Sequence, residues 1–182
     1  MGHATFKIGD LEAVIGDNAD HEVHRAGYSG IWSLRHKRSK RNLFVPAYAG
    51  FNLEHYFNGE TEFLNNEVFF QPRKFPMTFD KKSDREAELK QKPVPHFFLE
   101  STTKFILREP HYLDVEFRCS PVQHAHPNGW FGCFWASYVN GPVDKSMHFR
   151  GGWNKGDDQW MQLCTQKHDD ESTVSRFDDQ LK

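Results

Sequence analysis

Two histidines separated by one residue, His124 and His126, are the clearest candidates for acid–base chemistry in this sequence. In an extended segment, side chains two positions apart project to the same side, so both imidazoles could face one pocket. Imidazole changes its charge near neutral pH and can act as a general acid or donate a hydrogen bond to a sugar oxygen. We therefore expect both to be catalytic. The alternative is a pair of exposed loop histidines, bracketed by Pro121 and Pro127, that bind nothing.

The same two histidines could bind a metal ion, although a metal site needs at least a third ligand. His55 and His168 are the two imidazoles that we consider for this third position. A metal-dependent enzyme is therefore a second hypothesis. The preferred prediction contains no metal and no other cofactor.

A second candidate segment carries Asn52, Glu54 and His55. Asn52 and Glu54 share one side of the chain if the segment is extended, and a carboxylate beside a histidine is a usable acid–base pair. We expect Glu54 to be catalytic and Asn52 and His55 to bind the substrate. An edge strand with outward polar residues is the alternative.

A third candidate lies in residues 167–171, where one imidazole and three carboxylates occur within five residues. Carboxylate oxygens of such a segment could bind a divalent cation, but the glycine and the spacing of an EF-hand loop are missing. A solvated loop is favoured, and we expect a polar C-terminal tail from about residue 167. Glu171 is included as a candidate catalytic residue and His168 as a candidate substrate-binding residue.

Sugars expose C–H faces that stack on indole rings, and their hydroxyl groups hydrogen-bond to polar side chains. Trp130 lies four residues after His126, and Trp153 follows two glycines, which favours an exposed platform. Arg73 could anchor a carboxylate or a ring hydroxyl. We expect Trp130, Trp153 and Arg73 to contact a substrate.

Composition limits the classes of function that need consideration. The chain has 182 residues, enough for one domain with a substantial core, and its formal net charge is −2. This near-neutral charge argues against a nucleic-acid-binding protein, which draws most of its non-specific affinity from basic residues. Neither a nucleotide-binding glycine motif nor a serine-hydrolase or zinc-protease motif occurs. Without an apolar signal or membrane segment, we expect a cytoplasmic protein that does not bind membranes.

The elements that must position these residues are strands, because the dominant hydrophobic period is two. Residues 112–119 alternate between apolar and charged side chains, which is typical of a half-buried antiparallel strand. Residues 130–139 are apolar almost throughout, which predicts a central strand covered on both faces. Residues 83–91 begin with capping-box spacing and predict one short surface helix. Further strands are predicted at residues 11–15, 30–34, 43–48, 67–70, 96–99, 104–107, 158–163 and 172–177.

These short strands, separated by turns rich in Gly, Pro and Asn, predict an all-β antiparallel sandwich with at most one short helix. We expect a single domain over residues 1–182. Because the polar tail offers no closing strand, the sandwich could be incomplete. An unpaired sheet edge would then favour a homo-oligomer.

The order of several segments is similar to that in galactose-mutarotase-like supersandwich proteins. Residues 26–34 (AGYSGIWSL), 41–44 and 48–52 resemble the opening of that fold, in which a strand with a glycine and a leucine leads into the sugar site. Residues 97–107 and 112–119 resemble its middle. The resemblance implies a supersandwich with a sugar bound on its concave face.

Aldose epimerases of that group use a histidine as acid and a glutamate as base. By this resemblance His124 takes the histidine role, with His126 as its helper. The family's glutamate comes late in a longer chain, and Glu171 is the late glutamate here. The prediction is therefore a carbohydrate-binding protein with a saccharide as its partner. If it is an epimerase-like isomerase, His124 protonates a ring oxygen and Glu54 or Glu171 deprotonates the anomeric hydroxyl. A structural or interaction protein without a small-molecule ligand is the third hypothesis.

Overall fold

The computed structural model describes residues 2–39, 41–60, 66–124, 126–141, 147–151, 156 and 158–163. The described chain is mostly strand, with antiparallel pairing throughout and two short helices, so the predicted all-β fold is confirmed. It divides into two compact units, Met1–Val139 and Asn140–Lys182. The elements, in chain order, are β1 (His3–Ile8), β2 (Leu11–Gly16), β3 (Gly30–His36), β4 (Asn52–Phe57), α1 (Asn66–Phe69), α2 (Gln71–Lys74), β5 (Met77–Lys81), β6 (Glu86–Gln91), β7 (Leu99–Arg108), β8 (Tyr112–Pro121), β9 (Gly132–Ala136), β10 (Met147–Gly151) and β11 (Gln159–Leu163).

Two antiparallel sheets form the sandwich of the first unit. Strands β1, β2 and β3 make a three-stranded sheet in sequence order, and β5, β6, β7 and β8 make a four-stranded sheet, also in sequence order. The alternation in β7 buries every second side chain from Leu99 to Leu107, because one face of this sheet is covered and the other is not.

The core between these sheets is a single cluster of apolar side chains. Phe6 and Ile15 of the first sheet belong to the same buried cluster as Leu89 and Phe105 of the second. Burying each of these larger side chains is worth about 1.5–3 kcal/mol. This shared core shows that the two sheets face each other.

A separate strand pair, β4 with β9, carries several of the candidate residues. The pairing places Leu53 opposite Trp135 but His55 opposite Phe134, so Glu54 is an extra residue at a β-bulge. Bulges re-aim side chains and occur often beside functional sites. Here the bulge determines the direction of the Glu54 carboxylate.

Two local predictions in the middle of the chain are wrong. Residues 83–91 form a turn and strand β6 instead of a helix, because Ala87, Leu89 and Gln91 alternate and are all buried on one face. The Ser83 hydroxyl accepts a hydrogen bond from the N–H of Arg85, so the serine that resembles a helix cap stabilises the turn of a hairpin. Residues 67–70, predicted as a strand, contribute to helix α1 instead.

The predicted strands at residues 43–48 and 96–99 are also largely turns. In the first, only Phe44 makes a β-bridge, to Val139. The predicted central strand at 130–139 is shortened to β9, and within the described chain it pairs only with β4. Phe134 of β9 is 50% exposed, so this strand is not covered on both faces.

The second unit contains the antiparallel pair β10 and β11. The Arg150 guanidinium donates to the Asp158 carboxylate at 2.7 Å beside this pairing. Strand β11 confirms the strand predicted for residues 158–163, whereas the predicted strand 172–177 and the polar tail lie outside the described residues. In the part of the chain that is described, none of the helices has the length and apolar character needed to cross a membrane.

Candidate functional site

The bulge in β4 directs Glu54 into a buried polar cluster. Its carboxylate accepts a hydrogen bond from Arg73 Nη1 at 3.0 Å and from the Tyr138 hydroxyl at 3.0 and 3.2 Å. Glu54 is 6% exposed. The three residues come from three separate parts of the chain, and Tyr138 had no sequence signal that marked it as functional.

Arg73, near the end of α2, is held by more than this ion pair. Its Nε donates to the carbonyl of Gly27 at 3.0 Å. Its guanidinium lies 4.2 Å from the centroid of the Tyr28 ring and 5.1 Å from that of Phe70. These contacts fix the plane of the guanidinium, and Nη2 donates to none of the described residues. A fixed guanidinium with such a donor is suited to recognising an oxygen-rich ligand.

Asn18 holds the backbone that carries Arg73. Its side-chain amide nitrogen donates to the carbonyls of Pro72, Arg73 and Phe75 at 3.1, 3.2 and 2.8 Å. Its amide oxygen accepts the N–H of Met77 at 3.0 Å. The two N–H bonds of this amide are thus shared among three carbonyls, and those of Pro72 and Phe75 also accept from Gln91 Nε2 at 2.9 and 2.7 Å. No periodicity or motif in the sequence singles out this asparagine.

A cleft of about 700 Å³ opens beside this cluster. Its wall includes Gly27, Phe70, Arg73 and Lys74. The Lys74 ammonium forms an ion pair with Glu67, another wall residue. Because Arg73 is likewise paired with Glu54, the two cations of the wall are each balanced by a carboxylate. The cleft thus offers directed donors and an aromatic face with little net charge.

Burial alters the ionisation of two groups in the cluster. It raises the pKa of Tyr138, and the neighbouring Glu54 carboxylate raises it further, so the hydroxyl stays protonated and donates. Burial also lowers the pKa of His55, although Glu54 acts in the opposite direction. A neutral imidazole and a protonated phenol therefore accompany the carboxylate at neutral pH.

His55 lies beside Glu54 but is surrounded by aromatic rings. Its Nε2 is 3.7 Å from Glu54 Oε1, and its ring centroid lies 3.9 Å from Phe69, 4.3 Å from Phe70 and 5.1 Å from Phe134. Glu54 and His55 thus lie near each other at a separation longer than a hydrogen bond, and the acid–base pair stays a prediction.

Asn52 is fully buried and hydrogen-bonds to the backbone. Its Oδ1 accepts the N–H of Ser29 at 2.9 Å. Its Nδ2 is buried without a hydrogen-bond partner among the described residues. Asn52 thereby joins the start of β4 to the segment before β3, next to the Gly27 carbonyl that binds Arg73.

The two histidines expected to be catalytic lie in the loop between β8 and β9. His124 is exposed, whereas His126 is half-buried and its ring lies 5.2 Å from that of Phe131. The described contacts of Glu54 and Arg73 include neither histidine. Trp130, in the same loop, is 47% exposed. Trp153, His168 and Glu171 fall outside the described residues.

One group of possible metal ligands occurs among the described residues, and the sequence did not reveal it. A carboxylate oxygen of Asp10 and one ring nitrogen each of His36 and His111 lie within 4.8 Å of one another. This group shares no residue with the Glu54 cluster or with the metal ligands considered from sequence, which are His124, His126 and either His55 or His168.

Comparison with protein-family models, with curated proteins and with solved structures finds no match to this chain. The resemblance to galactose-mutarotase-like proteins therefore stays a prediction. The function is inferred from the cluster and the cleft themselves.

Proposed function

We propose that this protein binds a carbohydrate in the cleft beside Arg73. The observation that carries the proposal is the fixed guanidinium of Arg73. It is bound to Glu54 and to the Gly27 carbonyl, stacked against Tyr28, and set in the cleft wall beside Phe70. Carbohydrate sites need this combination of a rigid polar donor and an aromatic face, because a sugar presents hydroxyl groups and C–H faces together.

The charge balance of the wall favours a neutral saccharide over a phosphate or a polyanion. Arg73 is compensated by Glu54 and Lys74 by Glu67, so the attraction of an anion is largely offset. Hydroxyl groups are recognised by directed hydrogen bonds and do not require an uncompensated cation. Arg73 Nη2, which donates to none of the described residues, and the donors of Lys74 suit that kind of ligand.

The cluster supports binding better than turnover. The single Tyr138 O–H lies within hydrogen-bond distance of both Glu54 oxygens, and Oε1 also accepts Arg73 Nη1. A carboxylate that already holds these donors serves to position the guanidinium. We therefore propose that Glu54 is a positioning residue and that His124 and His126 lie outside the sugar-binding cleft.

Isothermal titration of the untagged protein with neutral monosaccharides and oligosaccharides tests this proposal. We expect Phe70→Leu to weaken binding at least tenfold, since it removes the aromatic face, and Lys74→Gln to weaken it less. Arg25→Gln is the matched control, because Arg25 contacts an aromatic ring at 5.3 Å but is not part of the cleft wall. The proposal would be overturned if none of these saccharides bound, or if wild type and Phe70→Leu bound them with equal affinity.

A further inference from the structure

Three chain reversals of the first unit meet at one place. They are the β1–β2 turn with Asp10, the end of β3 with His36, and the β7–β8 turn with His111. The backbone N–H of Asp10 donates to the Pro110 carbonyl at 2.7 Å, and the N–H of Lys37 donates to the Asp10 carbonyl at 2.8 Å. Turns from both sheets are thus joined by backbone hydrogen bonds, which fixes the positions from which the side chains extend.

We propose that Asp10, His36 and His111 bind one divalent transition-metal ion, with Zn²⁺ as the reference ion. Their ligand atoms lie within 4.8 Å of one another, and His36 Nε2 is 3.5 Å from Asp10 Oδ2. Two ligands that are each 2.0–2.1 Å from a tetrahedral ion are separated by about 3.4 Å. The Asp10–His36 separation therefore already matches one edge of such a site. His111 is exposed and can complete the set by a side-chain rotation.

The ligand set determines which ions the site accepts. Imidazole nitrogen suits Zn²⁺, Co²⁺, Ni²⁺ and Cu²⁺, whereas Ca²⁺ and Mg²⁺ prefer oxygen ligands. With three protein ligands, the remaining position of a tetrahedral ion is open to water. The site differs from the one predicted from sequence, which used His124 and His126.

Two neighbouring groups limit the affinity. The Lys37 ammonium forms an ion pair with Asp10 Oδ1, which leaves Oδ2 facing His36 but places a positive charge beside the ion. The backbone N–H of Arg38 donates to His36 Nδ1 at 3.1 Å, so the neutral ring carries its proton on Nε2. Coordination through Nε2 requires the proton to move to Nδ1 and this contact to open. Removing the Lys37 charge should therefore strengthen metal binding.

Titration of chelator-stripped, untagged protein with Co²⁺ and Zn²⁺ tests the proposal, with the visible absorption of bound Co²⁺ reporting its ligands. We expect one equivalent to bind, His111→Gln and His36→Gln each to weaken binding at least tenfold, and Lys37→Gln to tighten it severalfold. His124→Gln should bind as wild type does. Because His111 is exposed, its substitution does not threaten folding, and melting curves without metal verify this.

Two results would overturn the proposal. One is binding that His124→Gln abolishes and His111→Gln does not change. The other is that the protein binds less than one equivalent of metal at a tenfold excess of either Co²⁺ or Zn²⁺. Since the site and the sugar cleft share no residue, either result leaves the carbohydrate proposal unaffected.

Discussion

Arg73 Nη1 donates a 3.0 Å hydrogen bond to Oε1 of Glu54 where both side chains are largely withdrawn from water, with 22% and 8% of their surfaces exposed. Breaking a buried ion pair by removing one partner is costly, because the remaining charge is left without compensation. The Tyr138 hydroxyl also points at this carboxylate. Loss of the Glu54 charge would therefore weaken the contacts of both Arg73 and Tyr138.

We expect Glu54→Gln to lower the free energy of unfolding by about 3 kcal/mol, because the Arg73 charge would stay buried without its partner. Urea unfolding followed by tryptophan fluorescence measures this. Glu12→Gln is the control, since the Lys7–Glu12 pair is exposed and its loss should cost less than about 1 kcal/mol. Equal effects of the two substitutions would contradict the role assigned to Glu54.

Short-range features of this structure could be predicted from sequence, and long-range ones could not. The sequence predicts strand β8 because Leu113, Val115 and Phe117 alternate with charged residues. The same period of two indicates which side chains share one face of the sheet. Glu54 and Arg73 are 19 positions apart, and Glu54 and Tyr138 are 84 apart. A pattern within a short window contains no information about such pairing.

The false helix at residues 83–91 has a related explanation. A serine followed three residues later by a glutamate fits both a helix cap and a turn. The alternation of Ala87 with Leu89 favoured the strand, and the core contacts of these two residues with the facing sheet decided it. The local signal was outweighed by burial, which only the folded chain determines.

Asn18 provides a prediction that separates hydrogen-bond donation from side-chain shape. Its amide nitrogen donates to three carbonyls, including that of Phe75, and its oxygen accepts the N–H of Met77. Asn18→Asp keeps the shape and the acceptor but directs an oxygen at carbonyl oxygens. We expect Asn18→Asp to destabilise the fold by at least about 2 kcal/mol, the cost expected when two buried polar groups lose their hydrogen-bond partners. The loss of stability should be no smaller than that caused by Asn18→Ala.

Chemical denaturation of the two Asn18 variants measures these free energies, and sugar titration measures the effect on the cleft that Asn18 helps to build. An Asn18→Asp protein as stable as wild type would show that the hydrogen bonds donated by the Asn18 amide contribute little.

The buried imidazole of His24 predicts a loss of stability in mild acid. His24 is 4% exposed and stacks on Trp32 with 3.7 Å between ring centroids. Burial lowers its pKa, the Tyr28 carbonyl opposes this shift, and nearby His3 adds to it. The folded chain therefore takes up this proton at lower pH than the unfolded chain, whose histidines titrate near pH 6.5.

Below that pH the unfolded state binds more protons, so stability falls as the pH decreases through about 6.5. The slope from one such group is at most about 1.4 kcal/mol per pH unit. His24→Gln can still donate to the Tyr28 carbonyl but cannot titrate, so it should flatten the decline. Urea unfolding between pH 7.5 and 5.5 measures both slopes, and equal slopes would rule out His24 as a source.

The junction between β3 and β4 provides the last prediction, because a methyl group has no room at Gly50. Gly50 and Ile31 exchange two backbone hydrogen bonds of 2.8 and 2.9 Å, which attach the segment before β4 to β3. A Cβ atom on Gly50 would overlap the ring of Phe44, which is 2% exposed in the core. Since the ring is confined on its other sides, we expect Gly50→Ala to cost about 2–3 kcal/mol by overpacking.

A double-mutant cycle identifies the cause of this cost. Phe44→Leu removes the overlapping ring atoms and by itself loses some packing. The two substitutions together should therefore cost at least about 1 kcal/mol less than the sum of their separate effects. A coupling on this order is expected for residues in contact. Unfolding free energies of the four proteins give the coupling directly. If the costs simply add, the overlap with Phe44 is not what excludes a side chain at position 50. The loss would then arise in the Gly50–Ile31 backbone bridge, which lies two residues before the start of β4.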